Sequence, residues 1–132
     1  MSLRARNRHH LDNFNVERRR IIAHYAAATA APSSIVGAND PTNVGHLAIL
    51  RARNRTAGAQ AMSRAGIATD IHYPVLDCDQ ESAQGLPGRK CPLPVSERAL
   101  DEILTLPCYP GLTEQEIERV ARVLSRIADR GD

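Results

Sequence analysis

Val44-Gly45-His46-Leu47-Ala48-Ile49-Leu50-Arg51 decides how the rest of the chain is read. In an extended chain, Val44, His46, Ala48 and Leu50 fall on one side and Leu47 and Ile49 on the other. A segment apolar on both sides belongs inside a sheet. Two further segments have strand character: Ile67 to Tyr73, ended by Pro74, which has no N–H to give to a ladder, and Ile103-Leu104-Thr105-Leu106-Pro107. Helical spacing fills the intervals between them. Leu11, Phe14, Ile21, Ile22, Tyr25 and Ala28 recur on one face up to about Ala30, where Pro32-Ser33-Ser34 stops the helix. Asn54 to Ala65 reads as a second helix with Thr56 as its N-cap and Gly66 as its stop, and Ser96 caps a short third one. Thr113-Glu114-Gln115-Glu116 is a capping box ahead of the stripe Ile117, Val120, Val123, Leu124 and Ile127. Residues 35–43 and 74–95 carry the turn formers and read as loops, the second with at most one helical turn near Glu81. The order α-β-α-β-(α)-β-α predicts a mixed α/β (α+β) fold with a small sheet of about three strands flanked by helices.

The 132 residues suit a single domain, expected over 1–132 with about 1–10 frayed. With 42% hydrophobic residues the chain is too apolar to be disordered. With one phenylalanine and no tryptophan, its core is expected to be Leu, Ile, Val and Ala. No apolar run approaches the roughly 18 residues of a membrane span, and Met1-Ser2-Leu3-Arg4-Ala5-Arg6 is not followed by an apolar signal core. A cytoplasmic location with no membrane partner is expected. Residues 1–20 carry net +4 and residues 97–132 net −3. A basic start points to an anionic partner, such as a nucleic acid or the acidic face of another subunit, or to a solvated helix face. No aromatic residues interleave with the arginines, so the solvated face is preferred and no nucleic-acid partner is expected.

Chemistry-bearing spacing is scarce. Cys78, Cys91 and Cys108 match neither a CxxC pair nor a zinc finger, so no disulfide or metal site is expected. GxSxG, P-loop, HExxH and GxGxxG motifs are all missing. His72, beside Tyr73 where a strand enters a proline-kinked loop, is the best candidate for moving a proton, against the alternative of a structural histidine capping the strand. Lys90 is the only lysine, and in the loop segment Gly88-Arg89-Lys90-Cys91-Pro92 it reads as a solvated side chain. Arg130-Gly131-Asp132 at the end carries little information.

Six blocks in order give a far more specific signal. They are Leu11 to Tyr25, Val44 to Arg51, Gly66-Ile67-Ala68-Thr69-Asp70-Ile71-His72-Tyr73-Pro74, Leu93-Pro94-Val95-Ser96-Glu97, Leu104 to Thr113, and Glu116 to Val120. Together, over about residues 4–129, they resemble the C-terminal part of the DegT/StrS family of pyridoxal-phosphate-dependent sugar aminotransferases. The resemblance implies the small domain of a fold type I aminotransferase, with a largely antiparallel sheet. It also implies a homodimer and a nucleotide-linked keto-sugar aminated from glutamate or glutamine. By motif, His72 and Tyr73 correspond to the stretch bordering the substrate, so a substrate-binding role is expected for both.

The family's large domain carries the Schiff-base lysine, the acid that pairs with the pyridine nitrogen and the hydroxyls that hold the phosphate. By the resemblance residue 1 already lies in the linking helix, so that domain is expected to be absent. Lys90 falls where the family has variable sequence. No catalytic or cofactor-binding residue is therefore expected, and no pyridoxal phosphate bound by this chain alone. Self-association or an aminotransferase large domain is the expected partner. A split-enzyme half and a non-catalytic binding or oligomerisation module are the alternatives.

Overall fold

The computed structural model describes residues 3–29, 31, 34–83 and 92–128. Lys90 and its neighbours Arg89 and Cys91, together with Arg130-Gly131-Asp132, lie outside the described residues. Helix α1 spans Leu3–Ala28, strand β1 Ala48–Arg51, α2 Arg55–Arg64, α3 Pro94–Glu102, β2 Ile103–Leu106 and α4 Glu114–Ala128. Two single 3-10 turns, Asp77–Asp79 and Glu81–Ala83, punctuate the connection between α2 and α3 where one helical turn is expected.

β1 and β2 pair antiparallel with Ala48 opposite Leu106, Ile49 opposite Thr105, Leu50 opposite Leu104 and Arg51 opposite Ile103. Alternation sends Ala48, Leu50, Leu104 and Leu106 to one face and Ile49, Arg51, Ile103 and Thr105 to the other. The first face is the core. There Leu50 and Leu106 join Ile21, Ile22 and Tyr25 of α1, Met62 of α2, and Ile117, Val120 and Leu124 of α4. Burial of this cluster is the main driving force for the fold, since each large apolar side chain removed from water contributes about 1.5–3 kcal/mol. Tyr25 is 0% exposed, and its hydroxyl donates to the Pro107 carbonyl at 2.9 Å, so the phenol holds α1 against the exit of β2.

Several expected boundaries shift for local reasons. The first strand is four residues rather than eight because Gly45 sits at φ +71° and its N–H is taken by Asn43 Oδ1 at 2.9 Å. The expected strand at Ile67 to Tyr73 contributes a single antiparallel bridge, Asp70 to Thr105, at the β2 edge. The Asp70 carboxylate captures the next amide, Ile71 N–H, at 2.7 Å, and Tyr73 turns to φ +59°, so the ladder cannot propagate. Ile35 bridges Leu50 at the opposite edge. The sheet is therefore two strands with a bridged segment on either side.

Helix starts also move. α2 is capped by Asn54, whose Oδ1 accepts from Ala57 N–H at 3.0 Å, and Thr56 lies within the helix. α3 begins at Pro94, before Ser96, because proline at the first turn has no N–H to lose and Glu97 Oε1 accepts from Leu93 N–H. The capping box of α4 forms as read. Thr113 Oγ1 accepts from Glu116 N–H at 3.3 Å and Glu116 Oε2 accepts from Thr113 N–H at 2.9 Å.

Among the α1 residues whose side chains are described, from His10 on, burial begins at Ile21. Leu11 and Phe14, which share the stripe of Ile21 and Tyr25, are 54% and 43% exposed, because the helix runs on past the body that covers its other end. Part of the charge asymmetry is met within the chain. Arg20 of α1 pairs with Glu114 of α4 at 2.7 Å, His24 contacts Glu118 at 3.3 Å, and Glu17 Oε1 accepts from Gly111 N–H at 3.1 Å. Among the described residues, no helix is long and apolar enough to cross a membrane.

Candidate functional site

His72 lies on the sheet face turned away from the core helices. The Asp70–Thr105 bridge, with Thr105 N–H to Asp70 O at 2.7 Å and Asp70 N–H to Thr105 O at 3.2 Å, fixes the chain two residues before it. The imidazole Nδ1 then meets Thr105 Oγ1 at 3.0 Å. Thr105 is 7% exposed, and its hydroxyl is a polar group with a partner inside an otherwise apolar strand. One ring nitrogen of the half-buried His72 is thus anchored, and Nε2 makes no hydrogen bond among the described residues.

Tyr73 stands beside it with ring centroids 6.4 Å apart at 62°, an edge-on arrangement. It is 72% exposed and sits at φ +59°, the left-handed region that a bulky side chain avoids. Such backbone costs about 1–3 kcal/mol and persists where the surroundings impose it, commonly at functional sites. An anchored imidazole and an exposed phenol held side by side supply two hydrogen-bonding groups suited to a polyhydroxylated ligand. The structure brings the two expected site residues together. It adds Thr105, which sequence reading missed, although a lone hydroxyl in Ile103-Leu104-Thr105-Leu106 is a visible signal.

Among the described residues, Cys108 lies elsewhere. Cys108 is half-buried, with its sulfur 3.7 Å from the Arg18 carbonyl and 3.8 Å from the Gly45 carbonyl. Burial, only partly offset by the charge of Arg18, pushes its thiol up to about 11, which keeps it protonated at neutral pH. Among the described residues, no group of three or more His, Cys, Asp or Glu is placed to hold a metal ion. Pyridoxal phosphate chemistry needs a lysine amine, an acid on the pyridine nitrogen and donors for the phosphate. His72, Tyr73 and Thr105 offer one imidazole and two hydroxyls, and the described residues contain no lysine. This donor set does not fit the cofactor.

Comparison with known proteins identifies the scaffold. The sequence profile of the DegT/DnrJ/EryC1/StrS aminotransferase family matches residues 5–125. The chain belongs to that family. It is 29% identical over 119 residues to a dTDP-3-amino-3,6-dideoxy-alpha-D-galactopyranose transaminase from Aneurinibacillus thermoaerophilus, covering 89% of this chain and 32% of that protein. It is 30% identical over 122 residues to a UDP-N-acetyl-3-dehydro-alpha-D-glucosamine 3-aminotransferase from Acidithiobacillus ferrooxidans, again covering 89% and 32%. The crystal structure of DesV from S. venezuelae in complex with a ketimine intermediate superposes with a TM-score of 0.78 at 30% identity, over 93% of this chain and 34% of DesV. The DegT/StrS chain therefore spans about a third of the length of the relatives it matches. The mixed architecture of its described residues, four α-helices and a small antiparallel sheet, is that of fold type I aminotransferases, as the sequence resemblance implies.

Proposed function

We propose that residues 1–132 form the small domain of a cytoplasmic, homodimeric nucleotide-sugar aminotransferase, with His72 and Tyr73 contacting the sugar substrate. The lysine and the rest of the pyridoxal phosphate site come from a large domain, and the chain is not catalytic without it. The observation that carries this reading is the pair His72 and Tyr73, one tethered to Thr105 and the other held in a strained, solvent-facing conformation on the sheet face away from the core. Family membership and two sugar-transaminase relatives support the substrate class. The exposed Leu11 and Phe14 on α1 support a further domain or subunit as partner, since apolar stripes of this kind are seldom left to water.

In this reading the chain's own residues position the substrate. His72 holds its anchored orientation through Thr105 and presents Nε2 to a sugar or phosphate oxygen, while the Tyr73 hydroxyl donates to a second oxygen. The test is co-expression with the lysine-bearing large domain of a family member, followed by assay of amination of a dTDP-linked keto-sugar with glutamate as donor. The expected result is a complex with activity. His72→Ala then lowers kcat/KM about tenfold, the value of one good hydrogen bond to the substrate, without loss of assembly. A folded chain that does not assemble, or a His72→Ala complex of undiminished activity, refutes the proposal.

A further inference from the structure

On the helix-covered side of the sheet, opposite His72, a cleft of about 840 Å³ opens between α2, the C-terminal half of α4 and the segment that follows α1. Its floor is apolar and built largely from small side chains, with Ala57 and Ala61 of α2 facing Leu124 and Ile127 of α4 and Leu50 at the base. Small residues on one wall leave open a volume within the roughly 300–1,000 Å³ usual for small-molecule sites.

Four arginines, Arg51, Arg53, Arg64 and Arg126, line the same cleft, and none of the described lining residues is acidic. Arg51 is already paired with Glu102. Arg53, Arg64 and Arg126 are exposed and make no ion pair among the described residues, although the chain carries 15 acidic residues. Three guanidinium groups with no ion pair among the described residues surround one apolar hollow and produce a local positive potential, and their planar forks match the oxygens of a carboxylate or phosphate.

We propose that this cleft binds a small amphipathic anion, with its apolar body on the alanine-lined floor and its carboxylate or phosphate among Arg53, Arg64 and Arg126. The site is separate from the His72 face and does not depend on the proposed aminotransferase role.

The probe is 8-anilinonaphthalene-1-sulfonate, itself a fluorescent amphipathic anion, added to the purified chain. Saturable binding at one site is expected, displaced by decanoate or decyl phosphate and at least about tenfold less well by decanol. The stronger of the two anions identifies the headgroup. Arg64→Gln and Arg126→Gln each weaken the probe about tenfold with far-ultraviolet circular dichroism unchanged. Ala57→Leu, which fills the floor and keeps every arginine, abolishes displaceable binding. Phe14→Ser retains it. Displacement by decanol as strong as by decanoate, arginine variants that bind like the parent, or loss of binding in Phe14→Ser would overturn the proposal.

Discussion

Replacing Thr105 by valine isolates the contact on which the candidate site depends. Valine keeps the β-branched shape that suits β2 and fills nearly the same volume at a position 7% exposed, so the sheet and core should persist. What disappears is the 3.0 Å contact between Oγ1 and His72 Nδ1. A neutral hydrogen bond of this kind contributes about 1 kcal/mol net, which favours the anchored imidazole over each alternative orientation by about fivefold. The half-buried ring can turn to water once released, so the cost in global stability should stay below about 1 kcal/mol. Cross-relaxation between the His72 ring protons and the methyl groups at position 105 measures this orientation directly. In the parent chain the ring should show one set of contacts to β2, and in Thr105→Val a weakened set averaged over several orientations. In an assembled enzyme the same variant should lower kcat/KM about two- to fivefold with the melting midpoint nearly unchanged. Identical His72 ring contacts in parent and variant would show that the hydroxyl does not orient the ring, and the positioning role of Thr105 would be refuted.

Gly45→Ala should destabilise the fold by about 2–4 kcal/mol in urea denaturation. Gly45 sits at φ +71°, and an added Cβ would lie 2.9 Å from Arg18 Cβ and 3.3 Å from the Arg18 carbonyl carbon. Tyr25→Phe should lower stability by about 1–2 kcal/mol by leaving the Pro107 carbonyl without its donor, readable as a melting midpoint about 5 °C lower. Burial also raises the Tyr25 phenol well above the usual tyrosine range. Its contribution is therefore complete below about pH 10 and is lost as pH rises beyond it, so ultraviolet titration should find this tyrosine ionising only with unfolding. The Thr113 backbone N–H, and then its hydroxyl, hold the Glu116 carboxyl below the ordinary carboxylate range. The cap is thus at full strength above about pH 4.3 and is lost as pH falls further. Amide protection factors in the first turn of α4, which remove the intrinsic pH dependence of exchange, should fall across that window in the parent and stay flat in Glu116→Gln.

Much of the fold is legible from neighbours along the chain. The α4 capping box, the Gly66 stop and the apolar stripe from Ile117 to Leu124 each depend on groups within a few residues of one another. The periodicity of Leu11 and Phe14 was equally clear, yet it described only a stripe and not what covers it. The segment from Ile67 to Tyr73 has strand composition, and one carboxylate hydrogen bond from Asp70 to the next amide was enough to end its pairing.

By itself the sequence determined the helices, the apolar core strands, the order of blocks that marks the family, and His72 with Tyr73 as the pair to examine. Local capping, periodicity and turn chemistry are short-range forces written directly into residue spacing. Tertiary structure alone decided that Thr105, 33 residues away, anchors His72, that the basic α1 meets the acidic start of α4, and that arginines from three separate segments line one apolar cleft. Those arrangements depend on how the chain packs in three dimensions, and no spacing along the sequence encodes which distant side chains close packing brings within a few ångströms.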